Sequence, residues 1–63
     1  MHQETIKECL DMSVYALTLA INHLERMKDA NPAKKEAIQE RIGSLASVMS
    51  TLLNESGKIG RLE

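Results

Sequence analysis

The sequence predicts an all-α fold, an antiparallel helical hairpin that dimerises into a four-helix bundle. Two stretches carry apolar residues at alternating steps of four and three, and the corner Asn31-Pro32 separates them, which predicts the hairpin. The dimer is predicted because a chain of 63 residues is too short to bury a core that would stabilise a monomer by itself. In so short a chain, apolar burial roughly offsets the ~1.5 kcal/mol of conformational entropy lost per residue. With a single cysteine and two widely separated histidines, neither a disulfide nor a metal site can supply the missing stability, so self-association is expected to do so.

The first helix is expected over about residues 4–29. Thr5 and Glu8 have the spacing of a capping box, in which each side chain accepts a hydrogen bond from the other residue's backbone amide. A start at His2 or Gln3 is equally compatible with the pattern. The apolar line of this helix runs through Ile6, Leu10, Ser13, Leu17, Ala20, Leu24 and Met27.

The corner is expected at residues 30–31. Proline disfavours the helical conformation for the residue before it, so Asn31 is predicted to be the N-cap of the second helix and Pro32 its first residue. So short a connection makes the two helices antiparallel neighbours.

The second helix is expected over about residues 32–56, with its apolar line at Ile38, Ile42, Leu45, Met49, Leu52, Ser56 and Ile59. Gly57 is the predicted stop, because glycine readily adopts the left-handed conformation that ends many helices. The hairpin domain therefore covers residues 1–57, and residues 58–63 form a flexible tail.

The apolar arc of the first helix covers roughly half its circumference, whereas one neighbouring helix covers only about 100°. Leu17 and Leu24 are therefore expected to contact the second helix of the same hairpin, and Val14 and Ile21 to contact a second copy. A hairpin docked on a different protein and other assemblies are the alternatives. The predicted dimer interface comprises Ile6, Leu10, Ser13, Val14, Leu17, Ala20, Ile21, Leu24, Met27, Ile38, Ile42, Leu45, Met49 and Leu52.

Met12, Tyr15 and Leu19 form a short stripe on the flank away from this apolar line. One interpretation is that they pack at the margin of the dimer. The other is that they are the surface on which a partner protein docks, because methionine and tyrosine suit such surfaces.

No catalytic, cofactor-binding or metal-binding residues are expected. Cys9 falls on the apolar arc and is interpreted as a buried structural residue, and His23 as a solvated one. Glu4, Glu8 and Asp11 form an outward strip with no apolar surroundings to shift their proton equilibria, which argues against an acid and base pair. The chain is therefore expected not to be an enzyme.

Charge is balanced, with eight basic and nine acidic residues and a net charge of −1. This balance does not favour nucleic-acid binding, which needs clustered cations, although a basic cluster near the corner keeps that alternative open. The cluster comprises Arg26, Lys28, Lys34, Lys35 and Arg41. No apolar run approaches the length of a membrane span, so a cytoplasmic protein without membrane contact is expected.

The chain length, the central corner and the paired heptads resemble the Rop family, plasmid-encoded RNA-binding proteins that are antiparallel dimers of helical hairpins. This resemblance implies the hairpin dimer and RNA binding through an outward strip of the first helix. Here the outward strip is acidic, which argues against RNA. It reads Glu4, Glu8, Asp11, Tyr15, Thr18, Asn22, His23, Glu25 and Asp29.

In size and helical character the chain is also similar to small early proteins from the exo-xis region of lambdoid phages. That resemblance implies a phage- or mobile-element-encoded regulator in a bacterial host cytoplasm. The function expected is therefore that of a small homodimeric regulatory protein that binds a host protein. A nucleic-acid-binding hairpin dimer and a structural subunit of a larger coiled-coil assembly are the alternatives.

Overall fold

The computed structural model describes residues 5–63, and the predicted helix start near residue 4 lies outside them. Helix α1 spans Ile6–Ala30, a short 3-10 turn spans Pro32–Lys34, and helix α2 spans Lys35–Leu62. Within residues 5–63 there is no strand. The two helices pack as a hairpin, so the predicted all-α class is confirmed. The hairpin is a single layer, with extents of 46 × 24 × 9 Å.

The capping box at the start of α1 is confirmed. Thr5 is extended, with φ −78° and ψ 164°, and its Oγ1 accepts a hydrogen bond from the Glu8 amide at 3.1 Å. In return, the Thr5 amide donates to Glu8 Oε1 at 3.2 Å. Two of the amides that a helix start leaves without partners are thereby satisfied.

Asn31 ends the first helix and does not cap the second with its side chain, which corrects its predicted role. Its Nδ2 donates to the Met27 carbonyl at 3.0 Å, and its backbone amide donates to the Lys28 carbonyl at 3.3 Å. These two bonds satisfy carbonyls that the end of α1 leaves open. Pro32 opens the 3-10 turn that leads into α2, a position where its missing amide proton costs nothing.

The predicted stop at Gly57 and flexible tail at residues 58–63 are wrong, because α2 continues to Leu62. No glycine in the described chain has a positive φ. A glycine inside a helix costs about 1 kcal/mol, which contacts with α1 can offset. Ile59 and Gly60 are half-buried, and the carboxylate of Glu63 accepts hydrogen bonds from two amides at the start of α1.

Four cross-helix pairs fix the register of the hairpin. They are Lys7 over Gly60, Asp11 with Ser56, Thr18 with Met49, and Lys28 with Gln39. Every step along α1 in this series is matched by an equal step back along α2. The two helices therefore stay in contact from the corner to their far ends.

The contact line on α1 is rotated relative to the predicted one. Its half-buried large side chains are Leu10, Val14, Leu17, Ile21, Leu24 and Lys28. Val14 and Ile21, which were assigned to a second copy, are thus already partly covered in the single hairpin. Ile6, Ser13 and Met27 of the predicted line are exposed there. Cys9 is exposed as well, contrary to the prediction, because it lies on a flank of α1 roughly 100° from the line that contacts α2.

Candidate functional site

The hairpin has two unlike faces. Viewed from one end of the hairpin, the chain winds clockwise in one helix and anticlockwise in its antiparallel neighbour. Each flank of α1 therefore has a corresponding flank of α2 on the same face of the hairpin. On one face, hydrogen bonds that involve Asp11, Thr18 and Gln39 link the two helices. The opposite face, called here the open apolar face, carries Ile6, Ser13, Ala20, Met27 and Val48. Four of these five side chains are exposed and Ala20 is half-buried.

Asp11 is the centre of the polar face. Lys7 Nζ donates to its Oδ2 at 2.7 Å, and Ser56 Oγ donates to its Oδ1 at 2.6 Å. The hydrogen bond from Lys7, and after it the bond from Ser56, lowers the pKa of Asp11 below its ordinary value. The expectation of an outward carboxylate with an unshifted proton equilibrium is therefore wrong for Asp11.

The stripe of Met12, Tyr15 and Leu19 lies on the side of α1 that faces away from α2. Its side chains are 49%, 66% and 44% exposed, respectively. Arg26 and His23 lie near the end of this side, where Arg26 Nη2 donates to His23 Nδ1 at 2.9 Å. The stripe thus presents an exposed apolar surface that includes a tyrosine side chain.

The predicted basic cluster is not brought together as one surface. Lys28 is half-buried between the helices and donates to Gln39 Oε1 at 2.9 Å, whereas Arg26 lies almost on the opposite side of α1. Arg41 donates to Glu40 Oε1 at 3.1 Å. Lys34 and Lys35 remain exposed at the corner.

Among residues 5–63, no group of three His, Cys, Asp or Glu residues could hold a metal ion, and there is no pocket. Neither helix among residues 5–63 is both long enough and apolar enough to cross a bilayer.

Sequence reasoning missed two polar contacts between the helices. Ser56 was placed in the apolar line of the second helix with no polar partner, but it is buried and its hydroxyl donates to Asp11. Glu63 was placed in the tail, but its two carboxylate oxygens accept from the amides of Ile6 and Lys7 at 3.2 and 3.0 Å. The antiparallel register, which no local pattern states, brings these residues together.

A comparison with protein-family models, curated proteins and solved structures finds no match for this chain. The feature that the described residues share with the Rop family is the helical hairpin.

Proposed function

We propose that this chain is a small homodimeric interaction protein that binds another protein through Met12, Tyr15 and Leu19. The observation that supports this most is the exposure of all three side chains on the side of α1 that α2 leaves uncovered. Tyrosine in such a patch contributes a large apolar area and a hydrogen-bonding hydroxyl, and it is enriched among the residues that dominate binding energy.

The charges around the stripe favour a protein partner over a nucleic acid. Glu8 lies on the same side of α1, and Asp11 is held as a carboxylate by Lys7 and Ser56. Nucleic-acid binding depends on several cations acting together on phosphates. Lys28 is half-buried and Arg26 is directed to His23, so the basic cluster offers fewer cations on one surface than the sequence suggested.

We also propose that the chain is encoded by a phage or mobile element and acts in the cytoplasm of a bacterial host. A regulatory protein of the kind found among early phage proteins would act by such binding. A hairpin with an exposed apolar stripe suits binding to the surface of another protein.

The experiment compares capture of host proteins by immobilised wild type, Tyr15→Ala and Leu53→Ala. Leu53 is the matched control, because it is an exposed apolar residue on α2. We expect Tyr15→Ala to lose the captured protein while its melting temperature stays within a few degrees, since an anchoring tyrosine commonly contributes about 2 kcal/mol or more. Leu53→Ala should retain capture.

Two outcomes would contradict the proposal. A much lower melting temperature for Tyr15→Ala would place this residue in the packed margin of the dimer. Captured material that is removed by nuclease, and whose binding weakens steeply with salt, would instead support the nucleic-acid alternative.

A further inference from the structure

Helix α2 carries a nearly symmetric line of residues on the open apolar face. Val48 is its midpoint, Arg41 lies two turns before it and Glu55 two turns after it, so the three share one side of the helix. All three are exposed in the hairpin, and Val48 retains 48% of its accessible surface. The half-buried Leu45 and Leu52 flank Val48 on the same side.

The line has a positive charge at one end and a negative charge at the other, so two copies that run in opposite directions bring opposite charges together. If a second α2 is laid antiparallel across the first with the two Val48 residues at the crossing, Arg41 of each copy faces Glu55 of the other. A two-fold axis produces such a contact, because it pairs one residue with another in both directions. The two ion pairs would then flank an apolar centre.

We propose that a second copy of this chain covers the open apolar face, with the two α2 helices antiparallel about a two-fold axis at Val48. The hairpin corners then lie at opposite ends of the four-helix bundle. This inference rests on the homodimer of the proposed function, and it adds the arrangement and the residues that set it.

The residues of α1 on the open apolar face are compatible with the same two-fold axis. The hydrogen bond between Thr18 and Met49 places Ala20 at about the level of Val48. Ala20 and Ser13 are small, so the two α1 helices can approach each other near the axis, while Ile6 and Met27 add apolar area toward the ends. The face measures 46 × 24 Å, which accommodates the roughly 800 Å² per partner that a stable interface buries.

The existing contacts of the two charged residues leave them available for this pairing. Arg41 is 3.1 Å from its sequence neighbour Glu40, and Glu55 is 3.8 Å from Lys58 one turn away. Both pairs are solvent-exposed, and exposed pairs of this kind contribute little to stability. A second copy could therefore recruit either residue at little cost.

The experiment is a charge exchange followed by sedimentation equilibrium, with helix content checked by circular dichroism. Arg41→Glu and Glu55→Arg each place like charges together at both ends of the contact, so each should weaken dimerisation by about tenfold or more. The double variant Arg41→Glu/Glu55→Arg restores opposite charges and should return to within a few-fold of the wild-type dissociation constant.

Three results would overturn the inference. A double variant that dimerises no better than the single ones would show that Arg41 and Glu55 are not opposed. Single variants with the wild-type dissociation constant would show the same. A folded wild-type monomer at tens of micromolar would exclude the dimer itself.

A cysteine experiment tests the axis directly. In a Cys9→Ser background, Val48→Cys should form an intermolecular disulfide on oxidation, because the two residues lie together at the axis. Ser50→Cys, exposed on the polar flank of α2, is the matched control and should remain monomeric on a non-reducing gel. Equal cross-linking of the two variants, or none at Val48→Cys, would contradict the arrangement.

These measurements use the purified chain alone, so they are independent of the partner surface. If the charge exchange does not affect dimerisation but Tyr15→Ala still loses capture, only the dimer arrangement is refuted. If the double variant restores dimerisation but Tyr15→Ala captures as much as the wild type, only the partner surface is refuted.

Discussion

Ser56 Oγ donates a hydrogen bond to Asp11 Oδ1 at 2.6 Å, which joins the two helices by a polar contact. Ser56 is only 3% exposed, and its position in the apolar line of α2 would otherwise favour a hydrophobic residue. Asp11 also accepts from Lys7 at 2.7 Å. These bonds stabilise the ionised carboxylate, and they make hairpin stability depend on pH.

The first prediction concerns this pH dependence. The pKa of Asp11 is lower in the folded chain than its ordinary value of 3.8, so in acid the unfolded chain binds the proton more readily. The stabilisation is present at pH values above the unfolded pKa of 3.8 and is lost as the pH falls through the folded pKa. We expect Ser56→Ala to raise the pKa of Asp11 toward 3.8 and to flatten the acid limb of a plot of melting temperature against pH.

The carboxyl carbon shift of Asp11, followed by NMR, measures this pKa directly. Ser50→Ala, an exposed serine on the same helix, is the control and should leave the acid limb unchanged. An acid limb that is as steep in Ser56→Ala as in the wild type would show that the hydrogen bond does not act on the carboxylate.

The second prediction uses two glycines near the end of α2. An added Cβ at Gly57 would meet no atom within 4 Å, so Gly57→Ala should raise the free energy of unfolding by about 0.5–1 kcal/mol through helix propensity. At Gly60 the same Cβ would lie 3.0 Å from Lys7 Cδ, so Gly60→Ala should gain less because Lys7 must move.

Urea unfolding of both variants at one protein concentration makes the comparison. The sign of the change in unfolding free energy for Gly57→Ala distinguishes a helical Gly57 from one that ends the helix. If Gly57 ended the helix in the left-handed conformation, alanine there would destabilise the chain.

The third prediction concerns Glu63, whose carboxylate accepts from the amides of Ile6 and Lys7. A negative charge at the start of a helix is favourable, so Glu63→Gln should lower the free energy of unfolding by about 0.3–1 kcal/mol. Hydrogen exchange at the Ile6 and Lys7 amides should become faster. The contact is absent in solution if both amides exchange at wild-type rates.

The fourth prediction concerns the corner. Pro32→Gly increases the conformational freedom of the unfolded chain and should lower the free energy of unfolding by about 0.5–1 kcal/mol, with the oligomeric state unchanged. Denaturant unfolding and sedimentation velocity measure the two quantities. A longer particle with higher helix content would show instead that Pro32 prevents one continuous helix.

Local sequence patterns are sufficient to predict the two helices and the corner between them. The four-three spacing of apolar residues predicts both helices, and Thr5 with Glu8 predicts the first cap, because these patterns act through neighbours within a turn or two. Pro32 predicts the corner for the same reason, since it restricts its own backbone and that of Asn31.

Contacts between the helices are decided by the tertiary structure. Gly57 favours a stop by itself, yet α2 continues because Ser56, Ile59 and Glu63 meet α1. Likewise, the apolar arc of α1 is wide enough to allow several contact lines, and the register with α2 selects Val14 and Ile21 over Ser13 and Met27. Local patterns determine which segments are helical, whereas the rotation and length of each helix depend on residues far apart in the chain, whose contacts exist only once the hairpin has closed.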